Sequence, residues 1–177
     1  MFLFMLAAAD REAQPIDCSD SQLVQHYYQG MARYAVHKVK AMIGRDDVAA
    51  EIVQDVFMKL WQKKPTFDHE RALYAWIYKS SHRAAIDYLR SAAARREECT
   101  MDFAVSTLGL EYRDLVLEKD LVNFCLGKLK DREAEIFSYI VFDGMIFDEI
   151  AELLGVSKKT IQRDWAKIKE KIEKILR

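Results

Sequence analysis

The sequence predicts an all-α fold, with two small helical domains joined by a flexible linker and a helix-turn-helix ending the second domain. Only 2 Pro and 6 Gly interrupt the 177 residues, and 51% of the residues are hydrophobic, so helix breakers are rare and a core is available. Apolar residues recur at helical spacing through most of the chain. This spacing is lost between residues 97 and 118, which separates a domain over 19–96 from a domain over 119–177.

The first 18 residues are expected to form a loosely ordered leader. Their apolar start, MFLFMLAAAD, lacks a positively charged segment and is too short to span a bilayer. A mis-assigned start or a packed stub is therefore favoured over a signal peptide, and no membrane insertion is expected. The first helix is predicted from Asp20 to Met42, and Gly44 ends it.

The second predicted helix begins at Asp46 and Asp47, because acidic residues suit a helix N-terminus, and it ends before Pro65. Its expected core residues are Val48, Ile52, Val56, Phe57, Leu60 and Trp61. Its expected outer residues are Asp47, Glu51, Gln54, Asp55 and Met58. A loop is predicted over residues 63–71, and a third helix from Arg71 to Arg95.

The second domain is expected to begin with a helix from Asp120 to Lys128. Asp131 is a favourable cap for a further helix, Arg132–Phe142, which Gly144 closes. The last element, FDEIAELLGVSKKTIQRDWAKIKEKI, covers residues 147–172 and has the pattern of a helix-turn-helix.

Three residues define that pattern. Ala151 is small where two helices cross closely, Gly155 suits a left-handed turn, and Ser157 is a favourable N-cap for the second helix. The apolar residues expected to fill its core are Ile150, Leu154, Val156, Ile161, Trp165, Ile168 and Ile172.

The opposite face of the last helix offers hydrogen-bond donors for base edges and phosphates. The residues predicted to bind duplex DNA are Ser157, Lys158, Lys159, Thr160, Gln162, Arg163 and Lys167. An ordinary amphipathic hairpin with a solvated charged face is the alternative. The joint occurrence of the small residue, the turn glycine and the cap at fixed offsets favours DNA recognition.

Basic charge is concentrated at two places, although the formal net charge is −1. Residues 157–177 contain eight bases against three acids, and residues 76–96 contain five against one. The stretch over 98–135 is acidic, with nine acids against five bases. This distribution suits a protein that contacts nucleic acid at two separate places.

The third predicted helix mixes aromatic and basic residues, a combination that binds single-stranded nucleic acid. Its expected core residues are Leu73, Trp76, Ile77, Ala84 and Leu89, and its expected phosphate-facing residues are Lys79, His82, Arg83, Arg90, Arg95 and Arg96. Tyr78 and Tyr88 either stack on bases or pack, and Asp87 is expected to form a structural ion pair. A plain amphipathic core helix is an equal alternative for this segment.

No catalytic site is expected, since the sequence has no P-loop and no nucleophile elbow, and its four His are scattered. The three cysteines, Cys18, Cys99 and Cys125, have no zinc spacing and suit a reduced cytoplasmic setting. A helical enzyme using Asp55, His69, Glu70 or His82 is the weakest alternative, because His69 and Glu70 are adjacent in a loop. No metal, cofactor or small-molecule substrate is therefore expected.

Taken together, the chain resembles bacterial RNA polymerase sigma factors of the extracytoplasmic-function type over nearly everything after about residue 19. AAEIVQDVFMKLW resembles region 2.2 of that family, and YAWIYKSSHRAAIDYLR resembles regions 2.3 and 2.4. LKDREAEIFSYIVFDGMIFDEIAELLGVSKKTIQRDW resembles region 4. The order and distances of these motifs make the resemblance specific.

The resemblance implies a non-catalytic subunit that binds core RNA polymerase and recognises promoter DNA. Its polymerase-facing residues would be Glu51, Gln54, Asp55 and Met58. The residues near the melted minus-ten element would be Phe67, Asp68, Trp76, Lys79, His82, Arg83 and Arg90, with the loop over 65–71 holding a flipped base. The second domain would recognise the minus-thirty-five element as duplex, and an anti-sigma factor would occlude both domains.

The chain departs from the family pattern at several positions. Arg83 replaces a frequent Asn, which favours a phosphate contact over base-specific hydrogen bonding, and Ser80 and Ser81 replace small apolar residues. Asp164 stands where a basic residue is frequent, and it either accepts from a cytosine amino group, pairs with a neighbouring Lys or repels phosphate. The acids of the linker either imitate nucleic acid or are solvated.

A helix-turn-helix repressor with an N-terminal helical sensor domain is the alternative function. It predicts a dimer and a palindromic operator, with no need for polymerase.

Overall fold

The computed structural model describes residues 15–97 and 119–176, and these residues are almost entirely helical. The prediction of an all-α fold is confirmed, with one minimal two-stranded sheet as the exception. Most of the expected leader and most of the expected linker lie outside the described residues. The chain divides into two compact units between Ala85 and Ile86, which is earlier than the expected domain end at residue 96.

The first unit begins with strand β1 (Ile16–Asp17), followed by helix α1 (Ser21–Ile43), helix α2 (Asp46–Lys63) and strand β2 (Thr66–Phe67). Helix α3 (Glu70–Glu97) begins in this unit and continues into the second. The Asp20 carboxylate caps α1 by accepting from the backbone N–H groups of Gln22 and Leu23. Gly44 ends α1 in the left-handed conformation, with φ of 75°, as its sequence position predicted.

The two short strands correct two expectations. They pair antiparallel, with Ile16 opposite Phe67, and the backbone N–H of Cys18 donates to the carbonyl of Pro65 at 3.1 Å. Ile16 and Cys18 are buried, so residues 16–18 are not a loose leader. The segment after α2 is likewise more than a loop, because this pairing fixes Thr66 and Phe67 ahead of α3.

The buried face of α2 differs from the predicted one by one residue position at the start of the helix, where Ala49 and Val53 are buried and Val48 and Ile52 were expected. Its buried residues are Ala49, Val53, Val56, Phe57 and Leu60. Trp61 was expected in the core but is 48% exposed. At 100° per residue, Trp61 lies about 95° from the centre of the buried stripe, so its ring falls at the edge.

The second unit contains helices α4 (Lys119–Lys128), α5 (Asp131–Val141), α6 (Phe147–Leu154) and α7 (Lys158–Ile175). Asp131 was expected to cap α5, but it lies in the first turn of the helix, and Lys130 occupies the cap position. Instead the Glu133 carboxylate reaches back to accept from the backbone N–H of Lys130 at 2.8 Å. This contact satisfies a donor that the start of the helix leaves without a partner in the helix itself.

Helices α6 and α7 form the predicted helix-turn-helix. Ile150, Ile161 and Ile168 are fully buried between the helices, and Ala151 is 6% exposed at their crossing. Gly155 turns the chain with φ of 66°, and its N–H donates to carbonyls at the end of α6. Ser157 then caps α7 by accepting from the backbone N–H of Thr160 at 3.2 Å.

Two Gly→Ala substitutions should have opposite effects on stability. A Cβ at either Gly155 or Gly30 would meet no atom within 4 Å, so packing does not distinguish them. Gly155→Ala should lower the unfolding free energy by about 1–2 kcal/mol, because alanine is strained in the left-handed region. Gly30→Ala, within α1, should raise it by about 0.5–1 kcal/mol. Denaturant unfolding followed by circular dichroism measures both, and equal signs for the two variants would contradict the assigned turn.

Candidate nucleic-acid and polymerase interfaces

The outer face of α7 is a solvent-exposed basic surface. Its apolar stripe, which includes Ile161, Ile168 and Ile172, is buried against the rest of the second unit. Trp165 stacks on Phe137 of α5, with ring centroids 6.3 Å apart. Burial of this stripe points the opposite face outward, and its exposed side chains are Lys158, Lys159, Gln162, Arg163 and Lys167.

Some predicted DNA-binding residues of α7 also have structural partners. The Ser157 hydroxyl lies 2.9 Å from that of Thr160, in addition to capping the helix. Lys158 forms an ion pair with Asp148 of α6, with Nζ 2.8 Å from Oδ2. These contacts hold the start of α7 against α6. Lys159, Arg163 and Lys167 are the predicted DNA-binding residues nearest the centre of the outer face.

Two further ion pairs join α7 to the start of α5. The Arg132 Nε donates to Asp164 Oδ2 at 3.2 Å, and the Lys171 Nζ donates to Glu133 Oε2 at 2.6 Å. Partial burial alone would raise the pKa of Glu133, but the hydrogen bond from Lys171 and that from the Lys130 backbone hold the pKa below its ordinary value. Helix α7 is thus fixed by charge as well as by apolar packing.

The outer face of α3 carries the second set of predicted DNA contacts. Trp76 and Lys79 are partly exposed and Arg83 is exposed, at spacings that place them on one face. Phe67, from β2, lies against Trp76 with ring centroids 6.1 Å apart. Asp68 is exposed beside them. Together these residues form a partly aromatic, partly cationic surface on the first unit.

His82, which was expected to face nucleic acid, is instead in the core, and Tyr78, for which stacking on bases and packing were both open, also packs there. His82 is 2% exposed and Tyr78 is 4% exposed, with their ring centroids 5.5 Å apart. They belong to a stripe with Ile86 and Leu89, which are also buried. The periodicity of α3 therefore assigns His82 to the interior, where it cannot meet a phosphate without rearrangement.

Arg90 is engaged within the second unit. Its guanidinium donates to the backbone carbonyls of Leu126 at 3.3 Å and Leu129 at 2.6 Å, and to Asp131 Oδ1 at 2.6 Å. Those carbonyls lie at the C-terminal end of α4, where a helix has unsatisfied acceptors and a partial negative charge. Sequence reasoning did not predict these contacts of Arg90, because partners more than thirty positions away give no local signal.

Two residues of the enzyme alternative, His69 and Glu70, have structural roles. His69 Nδ1 accepts from the backbone N–H of Ala72 at 3.0 Å at the start of α3. The Glu70 carboxylate accepts from the Tyr74 hydroxyl at 2.5 Å. Burial, reinforced by the charge of Glu70, raises the pKa of Tyr27 to about 12. His69 and Glu70 therefore organise the start of α3.

The exposed outer face of α2 is formed by acidic and apolar side chains. The four residues predicted to bind polymerase are all exposed, namely Glu51, Gln54, Asp55 and Met58. The exposed part of Trp61 extends this surface by one turn, and Tyr28 of α1 packs edge-on against Phe57 with centroids 5.1 Å apart. Exposed aromatic and Met side chains such as Trp61 and Met58 are enriched in protein-binding surfaces.

Neither a metal centre nor a membrane span is found in residues 15–97 and 119–176. No group of three potential metal-ligating His, Cys, Asp or Glu residues occurs there, and no helix of this part is long and apolar enough to cross a bilayer. Cys18 and Cys125 are buried thiols, and burial raises the pKa of Cys125 to about 11.

Several known proteins are similar to this chain. The ECF RNA polymerase sigma factor SigK of Mycobacterium sp. (strain KMS) is 27% identical over 118 residues, which cover 63% of this chain and 61% of that protein. The RNA polymerase sigma factor SigZ of Bacillus subtilis is 25% identical over 156 residues, 85% of each chain. The ECF RNA polymerase sigma-E factor of Haemophilus influenzae is 23% identical over 179 residues, covering 88% of this chain and 94% of that protein.

The chain spans about three fifths of the mycobacterial relative, and the matched share is larger in the other two. A family model described as ECF sigma factor matches residues 16–177, which include most of the first unit and all of the second with its helix-turn-helix. The chain therefore belongs to the ECF sigma factor family.

Proposed function

We propose that this chain is a specificity subunit of RNA polymerase that directs promoter recognition, DNA melting and transcription initiation. The observation that carries the proposal is the helix-turn-helix, whose α7 presents an exposed basic face while its apolar stripe is buried. Family membership supports the proposal, since relatives matched over most of their length are named as RNA polymerase sigma factors. The chain itself carries out no bond-making chemistry.

The upstream duplex is bound by the outer face of α7. Lys159, Arg163 and Lys167 lie nearest its centre, and Gln162 lies toward one border. Arginine and glutamine can form paired hydrogen bonds with guanine and adenine edges, whereas lysines neutralise phosphates. Ser157, Lys158 and Thr160 support these contacts from the start of the helix.

The melted strand is bound by the outer face of α3 together with β2. Phe67 and Trp76 offer rings for unpaired bases, and Lys79 and Arg83 offer cations for the backbone. Asp68 lies in the loop proposed to hold a flipped base. Arg90 joins this surface only by exchanging its contacts with Asp131 and the α4 carbonyls. His82 is left out because it is buried.

Binding of the unpaired strand supplies the free energy for opening. Extracting a base costs about a few kcal/mol and costs least where stacking is weak. Stacking of a base on an aromatic side chain returns about 1–3 kcal/mol. The binding free energy from two rings and two nearby cations is therefore comparable to the cost of opening a short, weakly paired segment, so no nucleotide hydrolysis is needed.

Core polymerase is bound by the outer face of α2, with Glu51, Gln54 and Asp55 as the polar contacts and Met58 as an apolar one. The protein acts in the cytoplasm, where the polymerase and the promoter are found. We further propose that an anti-sigma factor regulates it by covering these surfaces.

Run-off transcription tests the proposed function. The purified chain is mixed with core RNA polymerase and a promoter library, and transcripts with defined starts are expected only when both proteins are present. Sequence-specific binding to a palindromic operator without polymerase, and with no transcripts, would favour a helix-turn-helix repressor instead.

Substitutions on α7 and α2 should separate DNA binding from polymerase binding. Arg163→Ala should weaken binding to the upstream duplex roughly tenfold while leaving core polymerase affinity unchanged, because one base or phosphate contact is lost. Asp55→Lys should weaken binding to core polymerase while leaving affinity for the upstream duplex unchanged, since it changes the charge of the α2 surface alone. Fluorescence anisotropy with labelled duplex and with core polymerase measures both affinities, and a parallel loss of both by either variant would contradict the division of roles.

Substitutions of opposite charge on α3 should have opposite effects on strand capture. Arg83→Ala should weaken binding of the polymerase complex to a forked promoter with an unpaired minus-ten strand, roughly five- to tenfold. Asp87→Ala, one helical turn later, should strengthen it, because it removes a negative charge from the same neighbourhood. Comparing affinities for forked and fully paired promoters distinguishes capture of the unpaired strand from general electrostatic attraction to DNA. The account fails if Arg83→Ala changes the affinity for neither promoter.

A further inference from the structure

Asp164 is the one acidic residue within the basic face of the recognition helix between Ser157 and Lys169. A carboxylate in this position would be expected to repel DNA phosphates. Its side chain is only 20% exposed, and Oδ2 lies 3.2 Å from the Nε of Arg132. Oδ1 lies 3.9 Å from the Nε of Arg163 on the same helix. The carboxylate is therefore placed between two arginines from two different helices.

The geometry leaves the Arg132 guanidinium available to a second partner. Asp164 receives the Nε hydrogen, and the two terminal amino groups of Arg132 carry four further donors. The Arg132 side chain is 52% exposed. A guanidinium held at one edge by a carboxylate keeps a defined direction and can bind a phosphate through its other edge.

The position of Asp164 joins this arginine to the basic surface of α7. At 100° per residue, Asp164 lies about 60° from Lys167 and 100° from Arg163, at the border between the exposed face and the buried stripe. Arg132 comes from the start of α5 and lies against that border. The basic surface thus continues from α7 onto α5, with one carboxylate set between two guanidiniums.

We propose that Asp164 is a positioning residue that holds Arg132 for a sequence-independent contact with a DNA phosphate beside the bases contacted by α7. The inference rests on the proposed function, because it assumes that the outer face of α7 binds duplex. Arg132 is then a DNA-binding residue outside the helix-turn-helix. The alternative of a cytosine contact is disfavoured, because Arg132 already occupies Oδ2 and little of the carboxylate is exposed.

The fold does not depend on this ion pair alone. Glu133 and Lys171 join the same two helices about two turns further along α7, and the stacking of Phe137 on Trp165 joins them through apolar contact. Substitutions of Arg132 and Asp164 should therefore leave the melting temperature close to that of the wild type, since partly exposed ion pairs add little to stability.

A double-substitution cycle tests the proposal, with the full chain bound to core RNA polymerase. The probe is a duplex selected by this complex from a randomised pool. Arg132→Ala should weaken binding about fivefold or more and lower the salt dependence by about one phosphate contact. In the Asp164→Asn background the same substitution should cost less than about twofold, because the guanidinium is no longer positioned.

Two further variants complete the experiment. Arg132→Lys should fail to restore full affinity, because an ammonium cannot bind a carboxylate and a phosphate through two fixed edges. Arg45→Ala removes an exposed, ion-paired arginine of the first unit and should leave duplex binding unchanged.

The outcomes separate this inference from the proposed function. A pool that yields no bound duplex would overturn the proposed function. Duplex binding that is unaffected by Arg132→Ala would overturn the inference alone. The same conclusion would follow if Arg132→Ala lowered duplex affinity equally with Asp164 and with Asn at that position, or if Arg132→Lys kept full duplex affinity. A weakening by Asp164→Asn confined to duplexes with cytosine at one position would assign Asp164 to base recognition.

Discussion

Burial of the apolar stripe of α7 is the constraint on which the rest of the second unit depends. Ile161, Ile168 and Ile172 are almost fully removed from water, and burying a side chain of this size stabilises a fold by about 1.5–3 kcal/mol. Because the stripe occupies one side of the helix, the lysines and arginines of the other side must face solvent. The same hydrophobic requirement that folds the domain therefore exposes the cations proposed to bind DNA.

Ion pairs orient charged side chains at the borders of the helix that the apolar core positions. Asp148 holds Lys158 at one border of the recognition helix, and Asp164 holds Arg132 at the other. Such exposed pairs contribute little to the free energy of unfolding. Their larger effect is on direction, since each fixes a side chain that would otherwise sample many rotamers. In the proposed function, acidic residues within a basic surface serve to orient it rather than to weaken it.

Local patterns in the sequence predicted the helices, the Gly44 and Gly155 turns and the helix-turn-helix, because periodicity, caps and left-handed glycines are encoded by neighbouring residues. Predictions failed where distant residues decide the outcome. The β1–β2 pairing joins segments about fifty positions apart, and Arg90 is bound by residues far along the chain. Trp61 was misassigned because it lies at the edge of its buried face, whereas His82 lies within the buried stripe of α3 and was misassigned because its ring can carry charge.

The central claim is that two surfaces, on α3 and α7, contact different segments of one promoter while α2 holds the polymerase. Photocrosslinking tests it most directly, with a photoreactive amino acid placed at position 83 or position 163 in the polymerase complex. The account predicts crosslinks from position 163 to upstream duplex and from position 83 to the opened segment near the start. Crosslinks from both positions to the same segment, or from neither position to DNA, would contradict it.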